Sequence, residues 1–192
     1  MLVWVEFSSI VSWWTIGVVS LVNDFKACLI RHGQEVYENP SPGNRDGGIT
    51  TLEEKSLGCI RKAGTSPVMD VVPYGATRQK RGLTLVSGPG NDLVSATALC
   101  AAGAQMILFT TGRGTPFGAP SPTVKISSST DLAVRKAGWI DYDAGRLLAG
   151  ASFDELGADL LRFILEVANG KKTKNEITGN RDMAIFKDGV TL

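Results

Sequence analysis

Short apolar runs alternate along the chain with stretches of helical spacing. The runs "SPVMDVVPYG" (66–75), "LTLVSG" (83–88), "QMILFTT" (105–111) and "TVKIS" (123–127) predict strands, and "GWIDYDAG" (138–145) predicts a strand end and turn. Between them, apolar residues at Ile49, Leu52, Leu57 and Ile60 predict a helix over 49–64, opened by a Thr-x-x-Glu cap in either register and closed by Gly64. The Ala-rich segment 89–104 predicts a helix capped by Asn91 or Asp92, and 128–138 predicts a short capped helix. The clearest helix lies within 152–170, with a Ser152/Glu155 capping box and an apolar face of Phe153, Leu156, Leu160, Ile164 and Val167. A further short helix is predicted over 23–33, stopped by Gly33, then a possible strand passing into a Pro/Gly/Asn loop over 34–48. "DMAIFKDGVTL" (182–192) reads as a closing strand or extended tail. Strands alternating with helices predict an α/β layered domain with a largely parallel sheet flanked by helices, whose ligands gather beyond the carboxyl ends of the strands.

The segment 3–22 breaks this pattern. It is apolar, holds three of the four tryptophans, and has no Lys or Arg before Lys26. A signal peptide would open with positive charge. Its length could span a membrane, but Glu6, several Ser/Thr and the mid-segment Trp13 and Trp14 argue against that and for a helix or strand docked on the domain.

Composition narrows the chemistry. Twenty Lys+Arg balance 19 Asp+Glu, and no basic block or aromatic-interleaved stripe offers a nucleic-acid surface. Three separated cysteines and one histidine, His32, argue against a disulfide framework and for a cytoplasmic protein. They cannot build a thiolate or imidazole metal cage from this chain alone, so any metal held here is expected to be a hard ion on oxygen ligands from Asp, Glu or Asn.

The loop "TTGRGTP" (110–116) holds Arg113 between two glycines and surrounds it with hydroxyls. A guanidinium so placed offers a rigid fork for a carboxylate or phosphate, and no nucleotide-phosphate motif accompanies it. A structural turn with Arg113 paired to a surface acid is the plainer alternative. "GPGNDL" (88–93) places Asn91 and Asp92 at a helix start. Both read either as an ordinary cap or as groups beside a bound anion, with Asp92 free for a metal or a substrate hydroxyl. Lys125, inside an apolar strand, either faces solvent or points into the site as an acid/base group with a lowered pKa. Asp141 and Asp143, and Glu38 with Asn39, read equally as ligands or turn residues, whereas Glu53 and Glu54 read as capping acids.

"VYENPSPGN", "GGITTLEEKSLGCIRKAGTSPV", "GPGNDLVSATALCAAGAQMILFTTGRGTPFG", "PTVKI", "DYDAGRLL" and "AIFKDGVTL" together resemble the C-terminal domain of the altronate/galactarate dehydratase family, sugar-acid hydro-lyases. The resemblance covers 33–192 and is closer to the altronate branch; a sulfolactate-cleaving lyase subunit is also similar. Residues 1–32 read as an atypical N-terminal segment, of which 1–22 is unlike the family. The resemblance implies dehydration of a sugar acid to a 2-keto-3-deoxy acid, with iron(II) or manganese. It also implies upstream domains, so the chain is expected to be a fragment or subunit of a larger enzyme, those domains being supplied by another chain; a non-catalytic sugar-acid-binding or partner domain is the alternative. On residue chemistry, Arg113, Thr111, Thr115 and Asn91 are expected on the substrate, Lys125 in proton transfer, and Asp92 on a hydroxyl or metal, with the metal's ligands unassigned.

Overall fold

The runs predicted as strands at 66–75, 83–88, 105–111, 123–127 and 138–145 each hold one, and every pairing among the described residues is parallel. Residues 182–188 form an extended tail rather than a strand, and Pro42–Asp46 is helical within the predicted loop. The computed structural model describes residues 13–34, 40, 42–62 and 64–188. The strands are β1 (Val68–Val72), β2 (Leu83–Val86), β3 (Ile107–Thr111), β4 (Thr123–Ser127) and β5 (Tyr142–Asp143). The helices are α1 (Trp13–Arg31), α2 (Pro42–Asp46), α3 (Leu52–Lys62), α4 (Asp92–Ala101), α5 (Thr130–Arg135), α6 (Phe153–Ala168) and α7 (Lys174–Thr178), with a 3₁₀ turn at Gly145–Ala149. The chain divides into two compact units, Met1–Pro89 with Lys187–Leu192, and Gly90–Phe186. The layered α/β class expected from the alternation is the one observed.

In the first unit, β1 and β2 pair in parallel and α1 packs on β1. α1 begins ten residues before the predicted 23–33 helix, at Trp13. Its more enclosed positions, Gly17, Val18, Leu21, Val22, Phe25, Cys28 and Leu29, recur at helical spacing, so much of the anomalous apolar segment is one face of a docked helix. Residues 3–12 of that segment lie outside the described residues, as do Glu38, Asn39 and 189–192. Among the described residues no helix is long and apolar enough to cross a membrane. α3 uses both predicted threonines: the Thr51 hydroxyl accepts from Glu54 N at 3.1 Å, while the Glu54 carboxylate accepts from Thr50 N at 3.0 Å.

The second unit is a three-layer sandwich. Its sheet runs β3-β4-β5. Side chains alternate across it: Val124, Ile126 and Tyr142 pack with Leu160, Phe163 and Val167 of α6, whereas Ile107 packs with Ala96 and Cys100 of α4. α6 carries the predicted capping box. α7, absent from the sequence reading, has the same device at Thr173/Glu176. From there the chain returns beneath the loop after β3. A Cβ on Gly118 would lie 2.2 Å from Asn180 O, so only glycine admits this crossing.

Two glycines should therefore respond oppositely. Gly118→Ala is expected to cost about 2–3 kcal/mol through backbone overlap. Gly157, inside α6 with nothing within 4 Å of its would-be Cβ, should gain about 0.5–1 kcal/mol as alanine. Urea midpoints measure both; a neutral Gly118→Ala would contradict the crossing.

Candidate functional site

Register brings the strand ends into one row. Thr111 pairs with Ser127, and Ser127 with Asp143, so three carboxyl ends open on the same edge. α4 packs on β3 and reaches it through residues 102–106, so the two run in opposite directions. Ten helical residues and five strand residues have nearly equal lengths, about 15 and 16 Å. Asn91 and Asp92 therefore lie toward the edge where the 110–116 loop emerges.

That loop is anchored through its backbone. The Thr111 hydroxyl accepts from Gly114 N at 2.8 Å and from Arg113 N at 3.3 Å. Gly114 makes the turn at φ +72°. Lys136 Nζ donates to Arg113 O at 2.7 Å and Gly114 O at 3.1 Å. Lys125 Nζ donates to Thr115 O, and Asn180 Nδ2 donates to Pro116 O at 3.0 Å. Asp182 N closes the row on Gly118 O at 2.6 Å. Thr111 thus shapes the turn, while Thr115 is half-buried above the lysine. The Arg113 side chain is exposed and enters none of the ion pairs found among the described residues. The loop presents that guanidinium on a fixed base.

Lys125 faces inward, settling the ambiguity of "TVKIS". β4 is flanked by β3 and β5 and covered on both faces, so no position on it reaches solvent. Its side chain is fully buried, on the same side as Phe109, its register partner, and lies 5.0 Å from the Phe117 ring centroid. Burial pulls its pKa down to about 8, against the upward pull of Asp141 and Asp182.

Asp141 is a structural clamp. Its carboxylate accepts from Lys125 N and Lys174 N, each at 2.8 Å, tying β4 to the start of α7. Asp143 likewise accepts from Gly145 N at 2.8 Å. Asn91 is the cap of α4: its carboxamide oxygen accepts from Leu93 N at 3.1 Å and Val94 N at 3.2 Å. Those amides are taken, and the Asp92 side chain is exposed in the first turn of the helix. Lys136, Asn180 and Asp182 escape sequence reading because their partners lie 23 and 64 residues away, with no local signature.

A depression of about 330 Å³ lies between β5 and α6. Its charges are mutually satisfied: Arg146 Nη2 meets Asp159 at 2.6 Å and Arg162 approaches the same carboxylate at 3.6 Å. Among the described residues, a group that could hold a metal ion is Cys28, His32 and Asp188, in the other unit. It corrects the expectation of oxygen ligands alone, because the fold brings a thiol and an imidazole one helical turn apart against a carboxylate distant in sequence.

Comparison with known proteins places this geometry in a family context. The family described as D-galactarate/Altronate dehydratase, C-terminal, matches residues 15–191, including most of α1. The chain is 55% identical to altronate dehydratase of Escherichia coli over 175 residues, 91% of this chain and 35% of that protein. It is 53% identical to altronate dehydratase of Bacillus subtilis, again over 91% of this chain and 35% of the relative. Galactarate dehydratase (L-threo-forming) of E. coli is 43% identical over 70% of this chain and 26% of its own length. The chain thus spans about a third of the length of the curated relatives it matches most fully.

The buried lysine predicts a stability that grows with alkalinity. Lys125 titrates near 8 in the folded chain, against an ordinary lysine value of 10.5. Between these values the unfolded chain binds more protons, so rising pH favours folding, by up to about 3 kcal/mol. Urea unfolding across that window should show the rise, and Lys125→Met should remove it. An equal rise in Lys125→Met would refute the assignment.

Proposed function

The chain belongs to the D-galactarate/altronate dehydratase family, matching its C-terminal part, and on that premise we propose that it is the substrate-carboxylate-binding portion of a cytoplasmic hydro-lyase converting altronate to 2-dehydro-3-deoxy-gluconate and water. The observation that carries this reading is Arg113, exposed on a loop whose backbone carbonyls are held by four other residues, at the carboxyl edge of a parallel sheet.

The reaction explains why such a group is needed. Removing the proton beside a carboxylate puts a second negative charge on that carboxylate as the carbanion forms. A guanidinium already in place stabilises that charge without reorganising. The hydroxyl on the next carbon then leaves with a proton, as water, and the resulting enol becomes the 2-keto acid. Arg113 is proposed on the carboxylate, with Thr115 and Asn91 beside the substrate and Thr111 setting the turn. Asp92, itself negative, suits a substrate hydroxyl rather than the carboxylate. Lys125 is proposed as the proton-transfer group because its free amine is populated near neutral pH; its bond to Thr115 O also supports a role in holding the loop.

The resemblance implies iron(II) or manganese. In Gly90–Phe186, Asp141 is committed to two amides, and no three ligating side chains gather among the described residues. The residues there do not fit a bound ion, and no step above runs through one.

The second reading, a sugar-acid-binding or partner domain without turnover, is favoured by the 35% share of the relatives that the chain spans. Calorimetry with altronate, and 2-keto acid formation with and without the remaining two thirds of a relative supplied in trans, separate the two. Binding together with turnover on adding the upstream domains supports the hydro-lyase; binding with no turnover supports the second reading, and no binding removes both. Arg113→Lys should weaken altronate binding about 10- to 100-fold, the worth of a charged hydrogen bond lost. Asp92→Asn should leave the melting temperature nearly unchanged, since Asn91 is the cap, while lowering turnover. In the active assembly, turnover should rise through pH about 8 if Lys125 takes the proton, and Lys125→Arg should abolish it. A pH-independent, partly active Lys125→Arg assigns the lysine to loop support alone.

A further inference from the structure

We propose that Cys28, His32 and Asp188 form a binding site for a borderline divalent metal ion, zinc(II) or iron(II), at the end of α1. The inference does not rest on the hydro-lyase reading, and its test reads binding rather than activity.

Cys28 and His32 are four residues apart and share the inner face of α1 and its closing turn. Asp188 belongs to the same unit, through the segment Lys187–Leu192. One ligand atom from each of the three lies within 4.8 Å of the others. His32 Nδ1 stands 2.9 Å from Cys28 O. A carbonyl oxygen only accepts, so Nδ1 carries a hydrogen, and in the neutral ring Nε2 carries the lone pair. That lone pair faces Asp188 Oδ1 at 3.3 Å.

Two electron-rich atoms at that distance are held together by a cation between them, either a proton or a metal ion. The thiol adds a third ligand atom to the cluster: Cys28 Sγ lies 3.8 Å from the ring at Nδ1, and a sulfur beside nitrogen and oxygen suits a metal ion. A tetrahedral ion with nitrogen and oxygen ligands at ordinary bond lengths sets those atoms roughly 3.3–3.5 Å apart. Nε2 and Oδ1 are already there, and the sulfur belongs to the same cluster, within 4.8 Å. The Nδ1–carbonyl bond is the outer contact that commonly fixes a ligating imidazole. One sulfur, one nitrogen and one oxygen select zinc(II) or iron(II) over the harder manganese(II) or magnesium(II). Asp188, 84% exposed, leaves the fourth position open to water.

Titrating the full chain with cobalt(II) should produce a near-ultraviolet thiolate-to-cobalt charge-transfer band that zinc(II) displaces and manganese(II) does not; iron(II), added without oxygen, should displace it too. If zinc(II) competes and iron(II) fails, the site is a zinc site; the reverse identifies iron(II). Cys28→Ser should abolish the band and Cys100→Ser should retain it. His32→Gln and Asp188→Asn should each weaken zinc affinity at least tenfold, with circular dichroism checking that the variants fold. Absence of the band, its persistence in Cys28→Ser, or equal competition by manganese(II) would overturn the site.

Discussion

The enclosed ammonium of Lys125 is the constraint around which the second unit is arranged. An amine with no exposure inside a strand covered on both faces is unfavourable unless an acceptor comes to it. Here the acceptor is the carbonyl of Thr115, so the chain leaving β3 must descend onto β4 rather than run out into solvent. The neighbouring carbonyls are then met in turn by Lys136, Asn180 and the amide of Asp182. Polar satisfaction of one buried group therefore fixes the height and path of a whole loop, and with it the direction in which Arg113 is offered.

Much of this was legible in the chain. The strands were visible as apolar runs, and the capped helices α3, α4 and α6 as periodic stretches with hydroxyl or amide residues in front. The arginine loop stood out because two glycines and several hydroxyls around one cation are more than a turn requires. What could not be read was pairing at a distance. Asp141 looked like a turn acid or a ligand; its two amide partners, on β4 and at the start of α7, turn it into a clamp. Lys125 was ambiguous because a lysine in a strand faces water or the interior according to what covers the strand, which only the tertiary arrangement decides. α7 was missed although its Thr173/Glu176 box is a local signal, because five largely polar residues carry no apolar periodicity. The start of α1 was missed for the opposite reason: an apolar excess hid the helical spacing within it.

Polar residues in the two units do different work. In Gly90–Phe186, Thr111, Lys125, Lys136, Asp141 and Asn180 are spent on backbone groups, which fixes the path of the loop after β3. Near the end of α1, by contrast, three side chains with ligand atoms face one another, with the His32 ring tied to the helix carbonyl behind it.

The first unit takes its last residues from beyond Phe186, although most of it precedes Gly90. Asp188 is thus made long after the helix it meets, at ribosomal speeds roughly ten seconds or more. Through that interval the Cys28 thiol and the His32 ring lack their carboxylate neighbour, so the cluster at the end of α1 closes only after the whole of Gly90–Phe186 has been synthesised.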